Sequence, residues 1–188
     1  MPDSNITKRA LAQTMKDLMA ERPFAKISVG DICERCGMNR KSFYYFRDKH
    51  DLVNWIFQTE FIETIHLTDY ANAWVFLGAI CAYFYQERDF YRSALLIEGQ
   101  NSFRDYFIET VSPFLKAFTE DIFQGVEDPA FYITFFEDAF MAAILRWLTG
   151  SQPMSAEVFS QQLRDVLVNV ARKTLSELAE NAPAPSES

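Results

Sequence analysis

Arg40, Lys41, Ser42 and Tyr44 crowd two cations and two hydroxyls into five residues directly after Gly37 and Asn39. Neither group of side chains suits bond-making chemistry without a base or a metal beside it. Both suit a polyanion: a guanidinium fork pairs with guanine O6 and N7, and an ammonium or hydroxyl meets a phosphate oxygen. Arg40 is the leading base reader, Lys41 is suited to a base or a phosphate, and Ser42 and Tyr44 are suited to phosphate oxygens. The other reactive pattern is Cys33-Glu34-Arg35-Cys36. A structural zinc site needs four ligands, and Cys81, His50 and His66 lack the spacing to complete one, so no metal and no cofactor is expected. Without a Gly-rich phosphate loop or a nucleophile elbow, the chain does not read as an enzyme.

The elements around the cationic stretch form a helix pair. Ser28 with Asp31 has capping-box spacing, and Val29, Ile32 and Cys36 recur at helical intervals. Gly37 falls where the chain reverses, and glycine tolerates a positive φ. Asn39 is a good cap for a second helix anchored by Phe43 and Phe46. A short helix pair with a glycine turn presents its second helix to a DNA major groove.

Charge divides at the same place. Residues 1–49 carry 10 Lys and Arg against 6 Asp and Glu, whereas residues 50–188 carry 8 against 20, inside an overall net charge of −8. A basic module is therefore joined to an acidic body, and phosphate binding responds to the local potential.

An all-α fold of about nine helices is expected: a three-helix helix-turn-helix domain over residues 1–50, a helical dimerisation and effector domain over 51–180, and a flexible Pro/Ala/Ser-rich tail over 181–188. The first helix spans roughly 5–21 and ends at Pro23. Asp48 caps a fourth, with Leu52, Trp55, Ile56, Ile62 and Ile65 inward, running on to His66 and Tyr70. Further helices fall near 71–86, 88–98, 102–124, 129–149 and 155–179, with Ser102, Asp128-Pro129 and Ser155 as starts, Pro113 as a candidate kink and Thr149-Gly150 as a stop. No run of 18 apolar residues spans a membrane, and the first residues lack the apolar core of a secretory signal, so a cytoplasmic protein with reduced thiols is expected.

Residues 131–148, FYITFFEDAFMAAILRWL, are apolar on nearly all sides, and such a helix must be covered all round. A homodimer follows as the expectation, with Phe135, Ala139, Ala142 and Ala143 meeting a symmetry mate beside Leu163 and Leu167 of the last helix. Of 29 aromatic residues, 24 lie beyond residue 50. Trp74, Tyr83, Phe103, Tyr106, Phe107 and Phe114 are candidates for an apolar cavity, with Arg92, Gln100, Asn101 and Arg104 as polar contacts.

The stretch Ile27–Leu52, with S-V-x-D-I, C-G-M-N-R-K-S-F-Y-Y and F-R-D-K, resembles the DNA-binding domain of TetR-family transcriptional regulators, over about residues 5–55. More weakly, residues 90–107 and 131–150 resemble the C-terminal domain of regulators associated with dihydroxyacetone kinase. The resemblance implies an all-helical homodimer on a palindromic operator of double-stranded DNA, with the C-terminal half sensing a small molecule. It places the Tyr44 ring at the DNA backbone and Lys49 at a phosphate, helped by free amides at that helix start, and adds Tyr45 and Ser28 to the candidate DNA contacts, with Asn39 at the segment's start. The chain is one residue shorter than the common pattern between Tyr44 and Phe46; either the histidine-like position is deleted or Tyr45 fills it. A repressor released by a small-molecule effector is the expected function, the alternative being a regulator or co-activator controlled by a protein partner.

Overall fold

The computed structural model describes residues 2–66, 69–99, 102–123, 129–151 and 154–180. Gln100, Asn101, Asp128 and the expected tail at 181–188 lie outside the described residues. Among the described residues there are eight α-helices and three 3-10 helices, and the recognition segment, Arg40–Tyr45, is one of the latter. Among the described residues there is no strand.

Helix α1, Pro2–Glu21, turns Leu11, Ala12, Met15, Leu18 and Met19 inward, the i, i+4, i+7 pattern of one buried stripe. Pro23 then stops it, because proline disfavours helical geometry in the residue before it. Helix α2, Val29–Arg35, and the recognition segment pack on α1. Helix α3, Lys49–Glu60, buries Leu52, Val53, Ile56 and Phe57.

In the second half, α4 (Ala73–Gln86) packs along α8 (Ala156–Glu180), and α6 (Phe103–Ile122) along α7 (Ala130–Thr149). Helix α5, Arg88–Leu95, lies against α7 and touches α1. Asn72 caps α4 by accepting from the Trp74 and Val75 amides, both at 3.0 Å. Ser102 caps α6 by accepting from the Asp105 amide at 3.2 Å, and α6 runs through Pro113 as one helix.

One expectation changes. Helix α3 ends at Glu60 instead of continuing toward Tyr70: Phe61 leaves helical geometry at φ −117°, ψ −67°, and a 3-10 turn follows at Ile62–Thr64. The cause is packing. The Phe61 ring sits 5.0 Å from Tyr83 and 4.6 Å from Phe84, which holds it while the chain swings away. Ile62 and Ile65 are consequently half-buried. Within the protomer, helix α7 is covered on one side. Phe136, Phe140, Met141, Ile144, Leu145, Trp147 and Leu148 are buried, while Phe131 and Phe135 are exposed.

One apolar core crosses both halves. Phe57 of α3 is its hub, fully buried, with ring centroids of Phe103, Phe107, Tyr106 and Tyr91 at 5.5, 5.4, 6.0 and 6.1 Å. Edge-to-face geometry at several of these contacts suits the ring quadrupoles.

Candidate nucleic-acid interface

Short elements must be held by local bonds, because they bury too little to hold themselves. At the start of α2, Ser28 Oγ accepts from the Asp31 amide at 3.1 Å, and the Asp31 carboxylate accepts from the Ser28 amide at 2.8 Å. That bond from the Ser28 amide, reinforced by the Ser28 side chain and by Arg22 nearby, holds the Asp31 carboxyl below its ordinary range. Arg35 grips Glu21 of α1 through two bonds of 2.6 Å. Gly37 makes the turn at φ +67°, where any Cβ would be strained. Asn39 Oδ1 then accepts from the Lys41 amide at 2.9 Å.

The recognition segment is wound more tightly than expected. Phe43 and Phe46 are both buried, with ring centroids 5.6 Å apart. They are three residues apart, and 3-10 winding brings residues i and i+3 onto one line. Two anchors at this spacing pull the segment into that form. Arg40, Lys41 and Tyr44 face solvent, Tyr44 at 73% exposure, and Ser42 is half-buried. Tyr45 is half-buried beneath Tyr44, their centroids 4.0 Å apart. The Lys8 ammonium of α1 lies 5.5 Å from the Tyr45 ring and 6.0 Å from Trp55, within cation–π range.

Lys49 is placed differently from its expectation. Its ammonium donates to the carbonyls of Phe24 and Ile27, each at 2.8 Å, and sits 4.2 Å from the Phe24 ring centroid. Burial lowers its pKa. It ties the 24–27 connection to the first turn of α3. The amides expected to help a phosphate there are taken as well: Asp48 accepts from those of His50 and Asp51 at 2.8 and 2.9 Å. Arg47, whose side chain is 87% exposed and 3.7 Å from Asp51, is a further cation facing outward beside the segment.

Two contacts missed in the sequence join this module to the second half. Lys16 of α1 reaches Glu60 at the end of α3 and Glu87 between α4 and α5, both at 2.8 Å. Burial alone would lower the Lys16 pKa, but the two carboxylates outweigh it and raise it. Tyr106 of α6 donates to Gln58 of α3 at 3.0 Å. No periodicity could pair residues this far apart.

The expected effector residues are dispersed. Of the six aromatic candidates, Phe107 and Phe114 line a cavity of about 70 Å³ between α4, α6 and α7, with Phe84, Cys81, Leu115, Phe140 and Trp147 among the walls. Phe103 is packed on Phe57, Tyr83 pairs its hydroxyl with that of Tyr91 at 3.1 Å, and Tyr106 is held by Gln58. Trp74 lies 5.2 Å from the Arg164 guanidinium of α8 and Arg104 is exposed. Arg92 donates to the Thr149 carbonyl at the end of α7, at 3.1 Å. Burial pushes the Cys81 thiol up to about 12, leaving it protonated and inert. Cys36 Sγ contacts the Ile32 carbonyl at 3.1 Å. Among the described residues no group of His, Cys, Asp and Glu is arranged to hold a metal, and no helix is long and apolar enough to cross a membrane.

The residues expected to meet a second subunit divide. Leu163 and Leu167 are buried within the protomer, where α8 packs on α4. Phe135, Ala139 and Ala142 are exposed and Ala143 is half-buried. Phe135, Ala139 and Ala143 line an open apolar groove between α7 and α8, of about 450 Å³, together with Leu163, Val166 and Val170.

Residues 13–56 match the family described as bacterial regulatory proteins, tetR family, and residues 74–169 match the one described as transcriptional regulator C-terminal region. The HTH-type dhaKLM operon transcriptional activator DhaS of Lactococcus lactis subsp. lactis (strain IL1403) is 32% identical over 110 residues, which is 57% of this chain. The match spans 58% of that relative's length. A solved structure of a dihydroxyacetone kinase operon activator DhaS has the same fold, with a TM-score of 0.67 at 24% identity over 89% of this chain and 97% of that one. Matched in its helix-turn-helix and across its helical second half, the chain belongs to the TetR family of transcriptional regulators.

Proposed function

We propose that this regulator binds a two-fold operator in cytoplasmic DNA as a homodimer and activates transcription under the control of a protein partner. Residues 1–50 dock on DNA through Ser28, Asn39, Arg40, Lys41, Ser42, Tyr44 and Tyr45, flanked by Arg47. Lys49 acts behind them, positioning the segment and adding positive potential. Residues 51–180 carry dimerisation and control. Support for the dimer comes from the uncovered apolar face of α7 and α8, where Phe131 is 75% and Phe135 57% exposed. Contiguous apolar surface of this kind marks a protein interface, and two recognition segments on a shared axis require half-sites about 34 Å apart.

The cavity carries the choice of a protein over a small molecule. Ligand pockets typically have volumes of about 300–1,000 Å³ and a few convergent polar groups, and even benzene is held in a cavity of roughly 150 Å³. Here about 70 Å³ is walled by apolar side chains. A polar metabolite would forfeit its hydrogen bonds there. Activation, in place of the repression expected from sequence, is supported by the relative from Lactococcus, which is named an operon activator.

Chromosomal footprinting, followed by a reporter driven by the bound promoter in a host lacking neighbouring genes, tests the reading. Footprints at a promoter whose output rises only when a second protein is supplied are expected. Output that falls when the regulator is present, and recovers with a metabolite, would restore the small-molecule repressor. No footprint would remove the operator-binding reading itself.

A further inference from the structure

The winding of the recognition segment decides which side chains share its outer face. In an α-helix, residues four apart lie together, which would put Arg40 beside Tyr44. In a 3-10 helix residues three apart are eclipsed. Arg40 then leaves the axis on the line of Phe43, the buried anchor, and Lys41 joins Tyr44 on a line of its own. Lys41 and Tyr44 both face solvent while Phe43 is 5% exposed, and Arg40, at the first position of the segment, is exposed as well.

Tyr44 is moreover a supported ring. Its ring lies 4.0 Å from that of Tyr45, centroid to centroid, at an interplanar angle of 34°, and Tyr45 in turn lies 5.5 Å from the Lys8 ammonium of α1. The opposite face and the edge, on a residue 73% exposed, are offered outward. An apolar ring surface held rigidly toward the major groove is matched by the C5-methyl of thymine, and an ammonium by the O6 and N7 of guanine. Three residues of 3-10 helix rise about 6 Å, and successive bases are about 3.4 Å apart.

We propose that Tyr44 and Lys41, and not Arg40, read the operator, the Tyr44 ring against a thymine methyl and Lys41 against a guanine edge about two base steps away. Arg40 serves the phosphate backbone. The assignment deepens the operator-binding reading above and rests on it.

The test begins with duplexes selected from a random library by the wild-type protein. In the best duplex each dT is replaced in turn by dU, which deletes the methyl, and each dG by 7-deazaguanine, which deletes N7. Binding is titrated with wild type, Tyr44→Ala, Tyr44→Phe, Lys41→Ala and Arg40→Ala. One dU per half-site is expected to weaken wild type and Tyr44→Phe by about three- to tenfold and to leave Tyr44→Ala unaffected. One 7-deazaguanine should weaken wild type similarly and leave Lys41→Ala unaffected. Arg40→Ala should weaken all duplexes evenly and keep both sensitivities. Indifference of wild type to every dU, an even loss in Tyr44→Phe equal to that in Tyr44→Ala, or loss of the 7-deazaguanine effect in Arg40→Ala would each overturn the proposal. Failure to enrich any duplex would instead overturn operator binding, before any variant is made.

Discussion

The helix-turn-helix and the α7–α8 face each offer a surface to a partner, and they are built from opposite materials. Around the recognition segment, elements of six to twelve residues are fixed by side chains bonding to nearby backbone: Ser28 with Asp31, Asn39 with Lys41, Asp48 with His50 and Asp51. The surface they leave is cationic and hydroxylic. At α7 and α8 the helices run 20 and 25 residues and their outward face is apolar. A groove in DNA presents fixed charges at fixed spacing, so the docking element must be set in advance by local bonds. An apolar face needs only area and shape, and long helices supply both with little local detail.

That contrast can be broken at its joint. Phe57 belongs to the first module by sequence and to the second by packing. Phe57→Ala should cost about 3–5 kcal/mol and lower one cooperative transition in a thermal or urea melt. Two separated transitions would mean that the halves fold independently and that the shared core carries little.

Next in size is the apolar face. Ala139→Arg puts an unpaired charge where α7 would meet its mate, at a cost of roughly 3 kcal/mol or more to the dimer. Because Ala139 is exposed in the protomer, circular dichroism should be unchanged while sedimentation gives a monomer and operator affinity collapses. A dimer of full affinity would move the interface elsewhere.

Lys16→Met removes the ammonium shared by Glu60 and Glu87 and leaves two carboxylates facing one another. A loss of about 1–2 kcal/mol is expected, with a larger effect on promoter activation than on operator affinity, since the contact links the modules and touches no DNA. Equal loss in both would make it a stabilising contact only.

Ser28→Ala should cost about 1 kcal/mol through the lost cap, read as a fall in urea midpoint with dimerisation intact. The smallest effect is one of pH. The Asp31 carboxyl is held low by the Ser28 amide, so its contribution to stability is full above the ordinary carboxylate range and is lost as pH falls through its lowered value. Acid should therefore erode wild-type stability slightly more than that of Asp31→Asn, in melts followed from neutral to acid pH. Parallel curves would leave the capping box without an electrostatic share.

What was legible in the sequence follows the same division. Ser28, Asn39, Asp48, Ser102 and Gly37 were readable because a cap or a turn is decided within four residues. The 3-10 winding was not anticipated, although the three-residue interval between Phe43 and Phe46 was its signal. Lys49 looked outward because its nearest carbonyl partners, on Phe24 and Ile27, lie more than twenty residues back. On α8 the stripe through Leu163 and Leu167 and the one through Val166 and Val170 are equally apolar. Only the packing of α4 decides that the first is covered and the second is left exposed. The aromatic candidates divide for that reason too, Phe107 and Phe114 lining the cavity and Trp74, Tyr83, Phe103 and Tyr106 not, since aromatic residues on α4 and α6 have no preferred side until α7 is set against them.

The three tryptophans each stand in a different part of this arrangement. Trp55 lies 5.7 Å from Phe46 and beneath Lys8, behind the DNA-facing segment. Trp147 is stacked 4.3 Å from Phe159 at the α7–α8 groove and donates its indole N–H to the Met154 carbonyl at 2.8 Å. Trp74 sits under Arg164 where α4 meets α8. Indole emission shifts with local polarity and is quenched by neighbouring charge, so the chain carries its own optical labels. With two tryptophans at a time replaced by Phe, the remaining indole gives a separate signal for docking on DNA, for subunit association, or for movement between α4 and α8, without a dye that would disturb any of them.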